Sequence, residues 1–232
     1  MSSLQIGGLT PLTSIDFPDC LAAVIFFQGC PWRCGYCHNR HLIPPHGENR
    51  LEWSDVMRFL HRRRGLLDAV VFSGGEPTLQ DNIQTAAGEV RNLGFKVGLH
   101  TGGIYPSRLD KLLPLLSWVG MDIKAAFPDY DKVTGTPKSG KHARESAQLL
   151  LASGVSCEFR TTVHPLYHTR DSLLRLAEEL QQLGVKHYLL QEFRPHGCTD
   201  EVVNSYSARE LLDDATCGRI GTMFESFSVR WA

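Results

Sequence analysis

Short runs of apolar residues alternate along this chain with longer segments in which apolar residues recur every three or four positions. The short runs are nearly continuous in apolar character, which is typical of strands buried on both faces. They predict six strands, at residues 22–28, 69–73, 96–100, 118–123, 157–163 and 187–192. The longer segments predict six helices, at residues 54–64, 82–93, 106–113, 141–153, 171–183 and 208–216.

This alternation of strands and helices predicts the fold class. Six strand–helix units in succession indicate a parallel sheet with right-handed crossovers. A complete eight-unit barrel usually takes about 250 residues, and this chain has 232. The pattern therefore predicts one α/β domain over residues 1–232, a partial (β/α)6 barrel with outer helices. We expect the stretch up to residue 20 and residues 227–231 to cover the edges of the sheet.

Composition and charge narrow the class of protein. The formal net charge is −1, so no overall positive field attracts nucleic acid or an anionic membrane. The first residues lack the basic and apolar regions of a signal peptide. The longest apolar run, residues 21–27, is too short to span a bilayer. We therefore expect a cytoplasmic protein that binds neither nucleic acid nor membrane.

Three of the seven cysteines, Cys30, Cys34 and Cys37, fall within eight residues. An odd number with this clustering is a poor disulfide framework, and in a reducing compartment such a cluster more often binds metal. Three thiolates can hold three irons of a [4Fe–4S] cube and leave the fourth iron free to bind a substrate. A structural zinc site with His38 or His41 as fourth ligand is the alternative. Spacing alone favours the open cluster and leaves both possibilities standing.

Other chemically distinctive residues follow the predicted strands in turn. Because the carboxyl ends of parallel strands share one rim, residues at these ends are expected to meet there. Besides the cysteine loop they are Gly74, Gly75 and Glu76, Thr101, Gly102 and Gly103, Asp122 and Lys124, Arg160, and His196. The sequence therefore predicts one site at the carboxyl rim of the sheet.

Two stretches of sequence resemble a known family. Residues 26–39, FFQGCPWRCGYCHN, resemble the radical S-adenosylmethionine superfamily, and within it the enzymes that activate glycyl-radical enzymes. Residues 12–18, LTSIDFP, resemble the activating proteins of anaerobic ribonucleoside-triphosphate reductase. The resemblance extends from Gly8 to His196 and favours the iron–sulfur interpretation over zinc.

The resemblance implies a function. One [4Fe–4S] cluster on Cys30, Cys34 and Cys37 would take an electron from flavodoxin or ferredoxin and cleave S-adenosylmethionine to a 5′-deoxyadenosyl radical. That radical would generate a glycyl radical on a partner enzyme, with anaerobic ribonucleoside-triphosphate reductase as the expected partner. An activase of the pyruvate formate-lyase type, a radical enzyme acting on a small molecule, and a non-enzymatic iron–sulfur or zinc protein are the alternatives.

The resemblance also implies which residues contact S-adenosylmethionine. They are Tyr36, His38, Gly74, Gly75, Glu76, Thr101, Asp122, Lys124, Arg160 and His196. The glycines would let the backbone approach the ligand closely, and Glu76 would accept from its amino group. Ion pairs within the sheet are the alternative, with Asp122 and Lys124 bridging to a neighbouring strand and Arg160 bonded to Glu76 or Asp122.

Two features depart from the family pattern. His100 stands where many activating enzymes have an aspartate that helps to bind a monovalent cation, which puts that cation site in doubt. No ferredoxin-like insertion with further cysteines follows the cysteine loop. We therefore expect a single cluster.

Overall fold

The computed structural model describes residues 4–47, 51–195, 197–198 and 200–232. In this part of the chain the strands are β1 (Ile6–Thr13), β2 (Ala22–Phe27), β3 (Ala69–Gly74), β4 (Lys96–Thr101), β5 (Trp118–Asp122), β6 (Ser156–Val163), β7 (His187–Glu192) and β8 (Ser226–Arg230). They form one sheet in chain order. β1 is antiparallel to β2, and each later neighbour is parallel.

Helices occupy the crossovers between the parallel strands. They are α1 (Trp53–His61), α2 (Ile83–Asn92), α3 (Pro106–Leu112), α4 (Tyr130–Thr134), α5 (Ser139–Ser153), α6 (Arg170–Leu183), α7 (Glu201–Asn204) and α8 (Asp214–Gly221). The predicted α/β fold with a partial barrel and outer helices is confirmed, and the sheet is not closed. Of the helices described, none is long and apolar enough to cross a membrane.

The predicted number of strands is too low because the terminal segments are strands rather than edge covers. The six predicted strands correspond to β2–β7, and β1 and β8 extend the sheet at its two ends. β1 carries Gly7, Gly8 and Pro11, which have low strand propensity and hide it from pattern reading. An edge position tolerates proline, and the pairing of β1 with β2 shifts register between Thr10 and Thr13.

The predicted helix at residues 208–216 is wrong for its first six residues. Turns and bends occupy this part, and α8 begins at Asp214 and continues beyond the predicted end to Gly221. The Asp213 side chain accepts a hydrogen bond from Thr216 N at 2.7 Å and caps this helix. Helices α4 and α7, with five and four residues, were not predicted because so few residues show no periodicity.

The concave face of the sheet is closed at one end and open at the other. Phe17 packs on Trp118 with ring centroids 5.6 Å apart. Small residues on the inner face of β2 and β3, including Ala22 and Ala69, surround this pair. Trp118 and Ala69 are the first residues of their strands. The packed pair of Phe17 and Trp118 therefore fills the amino end of the concave face. The carboxyl ends of the strands stay open for a site.

Candidate functional site

A cavity of about 340 Å³ lies at the carboxyl rim of the sheet. The predicted site residues that line it are Cys30, Cys34, Tyr36, Cys37, His38, Gly74, Gly75, Glu76, Thr101, Asp122, Lys124 and Arg160. His196, the remaining predicted residue, lies outside the described residues. The structure therefore brings together at one cavity the residues that the sequence placed at separate strand ends.

Two arginines hold the cysteine loop in shape. Arg33 NH1 donates to the carbonyl of Cys30 at 2.6 Å and to that of Trp32 at 3.0 Å. Arg40 NH2 donates to the carbonyl of Gly35 at 2.6 Å. Loop carbonyls that a helix or strand would satisfy are here satisfied by side chains. The three thiols are free and half-buried, and all face the cavity.

The protein environment of the three thiols affects how they can bind a metal. Burial raises the pKa of Cys30 to about 12, with a further contribution from Glu76. Burial also raises the pKa of Cys34, to about 11, although Lys124 opposes it. Thiols in such a place become thiolates when a metal takes the proton's position. Three soft donors facing one cavity therefore fit the three-cysteine binding of a [4Fe–4S] cluster.

Two aromatic residues of the cysteine motif have different surroundings. The hydroxyl of Tyr36 is buried and has no hydrogen-bond partner among the described residues. A buried polar atom without a partner is costly, so this hydroxyl is a group that a bound ligand can satisfy. His38 is already engaged, because its Nε2 donates to the carbonyl of Arg194 at 2.8 Å and its ring stacks on Phe193.

The zinc alternative needs His38 or His41 to join the cysteines. Within the described ranges, no three His, Cys, Asp or Glu side chains converge closely enough to hold one metal ion. His38 Nε2 is committed to a backbone carbonyl. The cysteine loop is therefore not arranged as a single-ion cage.

The two glycines at the end of β3, Gly74 within the strand and Gly75 just after it, are required by the neighbouring strand. Gly74 has φ +117°, and a Cβ on it would lie 2.4 Å from the backbone N and O of Phe27. A Cβ on Gly75 would lie 2.2 Å from the carbonyl oxygen of Gly29. The sequence explained these glycines by close approach to a ligand. In the structure, the close approach is to the chain's own backbone around β2.

Glu76 joins the loops that follow β3 and β4. Its Oε1 accepts hydrogen bonds from Thr78 N (3.1 Å), Thr78 Oγ1 (2.6 Å) and Thr101 Oγ1 (2.7 Å). Its Oε2 accepts from Gly102 N at 3.0 Å. Burial raises the pKa of this carboxyl, and the donors counteract part of that rise. Glu76 and Thr101 are thus bonded to each other as a brace beneath the cavity, a role that the sequence did not predict.

Asp122 lies between two cations at the cavity wall. Arg160 Nε is 3.0 Å from Asp122 Oδ1, and Lys124 Nζ is 3.4 Å from Asp122 Oδ2. Burial alone would raise the pKa of Asp122, but Arg160 and Lys124 hold it well below its usual range. Asp122 in turn raises the pKa of Lys124 against the effect of burial. The alternative of ion pairs within the sheet is therefore realised, with Asp122 as the partner of Arg160.

His100 lies beside this network. Its Nε2 is 3.0 Å from the carbonyl oxygen of Asp16 and 3.3 Å from Arg160 NH1. Burial, and then the charge of Arg160, lower the pKa of His100 to about 3. The ring is therefore neutral and offers a cation no anionic ligand. The aspartate that many activating enzymes have at this position would offer one.

This neutral histidine predicts a pH dependence of stability. Between its usual pKa of 6.5 and the folded-state value of about 3, the unfolded chain binds a proton that the folded chain does not. The contribution of His100 is thus complete above pH 6.5 and is lost as the pH falls, by about 1.4 kcal/mol per pH unit at most. We expect urea unfolding of a His100→Gln variant to show a shallower loss of stability on acidification than the parent protein. Parallel stability–pH curves would contradict this.

Sequence reasoning missed several residues of the cavity wall. Trp32 lines the cavity and was overlooked because tryptophan is an ordinary core residue. Its ring lies so close to Gly102 that a Cβ on that glycine would be 2.6 Å away. Arg194 was not singled out although it directly follows the β7 region, and this position was the available signal. Arg230 also lines the cavity, and it lies on β8, which contains no apolar run that would have predicted a strand.

Comparison with known proteins agrees with this geometry. The model of the Radical SAM superfamily matches residues 24–180. The "Putative glycyl-radical enzyme activating enzyme MJ1227" of Methanocaldococcus jannaschii is 30% identical over 205 residues, covering 84% of this chain and 82% of the relative. Pyruvate formate-lyase 1-activating enzyme of Escherichia coli K12 is 30% identical over 181 residues, covering 74% and 72%.

Solved structures share the fold at lower identity. QueE from Escherichia coli has a TM-score of 0.60 at 18% identity, with 98% of this chain and 94% of QueE covered. Streptococcus suis SuiB, bound to the precursor peptide SuiA, has a TM-score of 0.67 at 15% identity. That match covers 89% of this chain, which spans about half of SuiB (48%). At these identities the likeness shows the fold alone.

The family match and the cavity together define the class. The chain belongs to the radical SAM superfamily, whose members use a [4Fe–4S] cluster and S-adenosylmethionine. Within that superfamily it is an enzyme homologous to glycyl-radical enzyme activating enzymes over most of its length.

Proposed function

We propose that this enzyme holds one [4Fe–4S] cluster through Cys30, Cys34 and Cys37 and generates a glycyl radical on a partner enzyme. The observation that carries the proposal is one cavity at the carboxyl rim that joins three free thiols to the Asp122–Lys124 ion pair. Activating enzymes of glycyl-radical enzymes are homologous to the chain at 30% identity.

The cofactors of this family supply the electron chemistry. When bound, the reduced cluster provides the electron that splits S-adenosylmethionine into methionine and a 5′-deoxyadenosyl radical, which removes a hydrogen atom from glycine. The chain supplies the ligands and the shape of the cavity. The reductant that we propose is flavodoxin or ferredoxin. The cellular location that we propose is the cytoplasm, where free cysteines persist.

The residues around the thiols offer complementary groups for the amino-acid end of S-adenosylmethionine. The ammonium group of Lys124 carries three N–H donors, and its contact with Asp122 Oδ2 uses one of them. It can therefore donate to the ligand carboxylate while Asp122 keeps it in place. The turn at Gly74 and Gly75, fixed beneath by the Glu76 brace, presents backbone to the amino group.

Tyr36 and His38 form another part of the proposed S-adenosylmethionine site. The unpartnered hydroxyl of Tyr36 is available to the ligand, and His38 holds the cysteine loop against Arg194. Arg160 and Thr101 act through their partners, Asp122 and Glu76. His196 completes the proposed set on the basis of the sequence.

Anaerobic ribonucleoside-triphosphate reductase is the partner that we propose, on the basis of the LTSIDFP stretch. The 30% identity to pyruvate formate-lyase 1-activating enzyme favours pyruvate formate-lyase as a second candidate. The open sheet suits either, because an unclosed side admits a polypeptide loop that a closed barrel would exclude.

Electron paramagnetic resonance tests the proposed function. The iron-loaded, reduced protein is mixed with S-adenosylmethionine and one candidate partner under anaerobic conditions. Each candidate partner is tested in its own mixture. We expect the doublet of a protein-bound glycyl radical with one partner and none when S-adenosylmethionine is omitted. Formation of a small-molecule product without a protein radical would overturn the proposal.

A further inference from the structure

A second cavity adjoins the site cavity. The second space, of about 500 Å³, lies between the segment at residues 14–18 and strands β5, β6 and β8. The two cavities share Ile15, Arg160, Arg194 and Arg230, and the second touches none of the three motif cysteines. The shared residues therefore lie at the border between the second cavity and the cavity that holds the thiols.

The shared arginines differ in how their charges are compensated. Arg160 is bonded to Asp122 at 3.0 Å. Arg230 NH1 donates to the side-chain oxygen of Gln191 at 3.1 Å, and Arg194 NH2 donates to the carbonyl of Trp231 at 2.9 Å. Both of these acceptors are neutral. Among the described residues, neither Arg194 nor Arg230 has a carboxylate within ion-pair distance.

Two guanidinium groups that form no ion pair within the described residues can bind an anionic ligand, although carboxylates of Asp16, Glu158 and Glu192 line the same cavities. A guanidinium presents a planar fork of N–H donors that matches a carboxylate, and such bonds are stronger than neutral ones. The side-chain oxygen of Gln191 and the carbonyl of Trp231 each occupy one donor and fix the two side chains in place. Glu158 lies in the wall of the second cavity and forms no ion pair in the part of the chain described.

We propose that Arg194 and Arg230 form a carboxylate-binding subsite at the border between the two cavities, and that its ligand is an acidic side chain of the polypeptide that presents the target glycine. This inference rests on the proposed function and names the chemistry of the partner. This position favours the partner because the subsite borders a cavity that no motif cysteine lines. Ile15, with 69% of its surface exposed, lines both cavities and offers the partner an apolar contact.

Single and double variants Arg194→Gln and Arg230→Gln test the subsite, with Arg219→Gln as the matched control. Arg219 is exposed on α8 and lines neither cavity. Glutamine keeps a donor but loses the charge. We expect each single variant to raise the KM for the partner in glycyl-radical formation about 10-fold, with a smaller effect on kcat. Added salt should weaken the parent and the control and affect the double variant much less.

A second measurement separates the two sources of a carboxylate. Equilibrium dialysis gives the affinity of the cluster-loaded variants for S-adenosylmethionine without any partner. A change of less than about 3-fold, together with the higher partner KM, supports the proposal. A loss of that affinity as large as the change in partner KM would identify the carboxylate as that of methionine and overturn the assignment to the partner. Unchanged values in both measurements would overturn the subsite itself.

Failure of the proposed function would look different. In that case the parent protein gives no glycyl radical on either candidate partner, whatever residue stands at positions 194 and 230. Binding of the partner by the parent and the variants, measured by sedimentation with unreduced protein, then still tests the subsite. Equal binding by the parent and the double variant would contradict it.

Discussion

Replacing Cys34 with alanine is expected to remove the cluster and to lower cleavage of S-adenosylmethionine by at least about 1,000-fold. Cys34 lies between the other two thiols in the loop and faces the cavity beside Lys124. Fe–S clusters are held by thiolates, and no fourth cysteine lines this cavity among the described residues to replace it. Iron and sulfide analysis after anaerobic reconstitution, followed by assay of 5′-deoxyadenosine, measures both effects.

The control for this variant is Cys157→Ala. Cys157 is half-buried on β6 and does not line the cavity. Its loss should leave iron content and cleavage close to those of the parent. If the Cys34→Ala protein kept its iron and cleaved S-adenosylmethionine, the assignment of the cysteine loop would fail. If both variants lost iron alike, the effect would be one of folding.

Gly74→Ala is expected to have the largest effect on stability, a loss of about 3 kcal/mol or more. The backbone of Gly74 has φ +117°, which L side chains rarely adopt. The added methyl would also meet the backbone of Phe27 at 2.4 Å, and a strand in the middle of a sheet cannot move aside cheaply. Urea unfolding of the cluster-free protein measures the change.

The matched control is Gly88→Ala. Gly88 lies within α2, and a Cβ on it would meet nothing within 4 Å. Alanine in a helix interior is favoured over glycine, so this variant should be more stable by about 0.5–1 kcal/mol. The same substitution at two glycines is thus expected to change stability in opposite directions. A Gly74→Ala protein as stable as the parent would contradict the close backbone contact between Gly74 and Phe27.

Local sequence patterns were sufficient for the central strands and for the cysteine loop. A buried parallel strand is an apolar run, and the cysteine spacing needs no knowledge of distant parts of the chain. The common rim followed from parallel strand direction alone, and it placed Glu76, Asp122 and Lys124 at one cavity. What these side chains bond to could not be predicted in the same way.

The pairing of Asp122 with Arg160 depends on strand register. These residues lie 38 positions apart and are direct partners across β5 and β6. Several registers of two apolar strands look alike in sequence, and only packing of the whole sheet selects one. The bond between Glu76 and Thr101 likewise joins two loops that approach each other only after the strands align.

The edges of the sheet show a second limit. β8 alternates exposed and half-buried residues and contains no apolar run, so neither the strand nor its Arg230 was expected at the site. Helix 208–216 was predicted from its apolar spacing, but the strong cap at Asp213 starts a helix later in the chain. Capping by one side chain outweighed a weak periodicity.

Isotope transfer tests the central claim most directly. The candidate partner enzyme is prepared with glycine deuterated at Cα and mixed with the reduced, cluster-loaded protein and S-adenosylmethionine. We expect one deuterium in the 5′-deoxyadenosine formed, in step with a glycyl-radical signal whose doublet splitting collapses because the hydrogen left on Cα is deuterium. Unlabelled 5′-deoxyadenosine and no glycyl radical with either partner would contradict it.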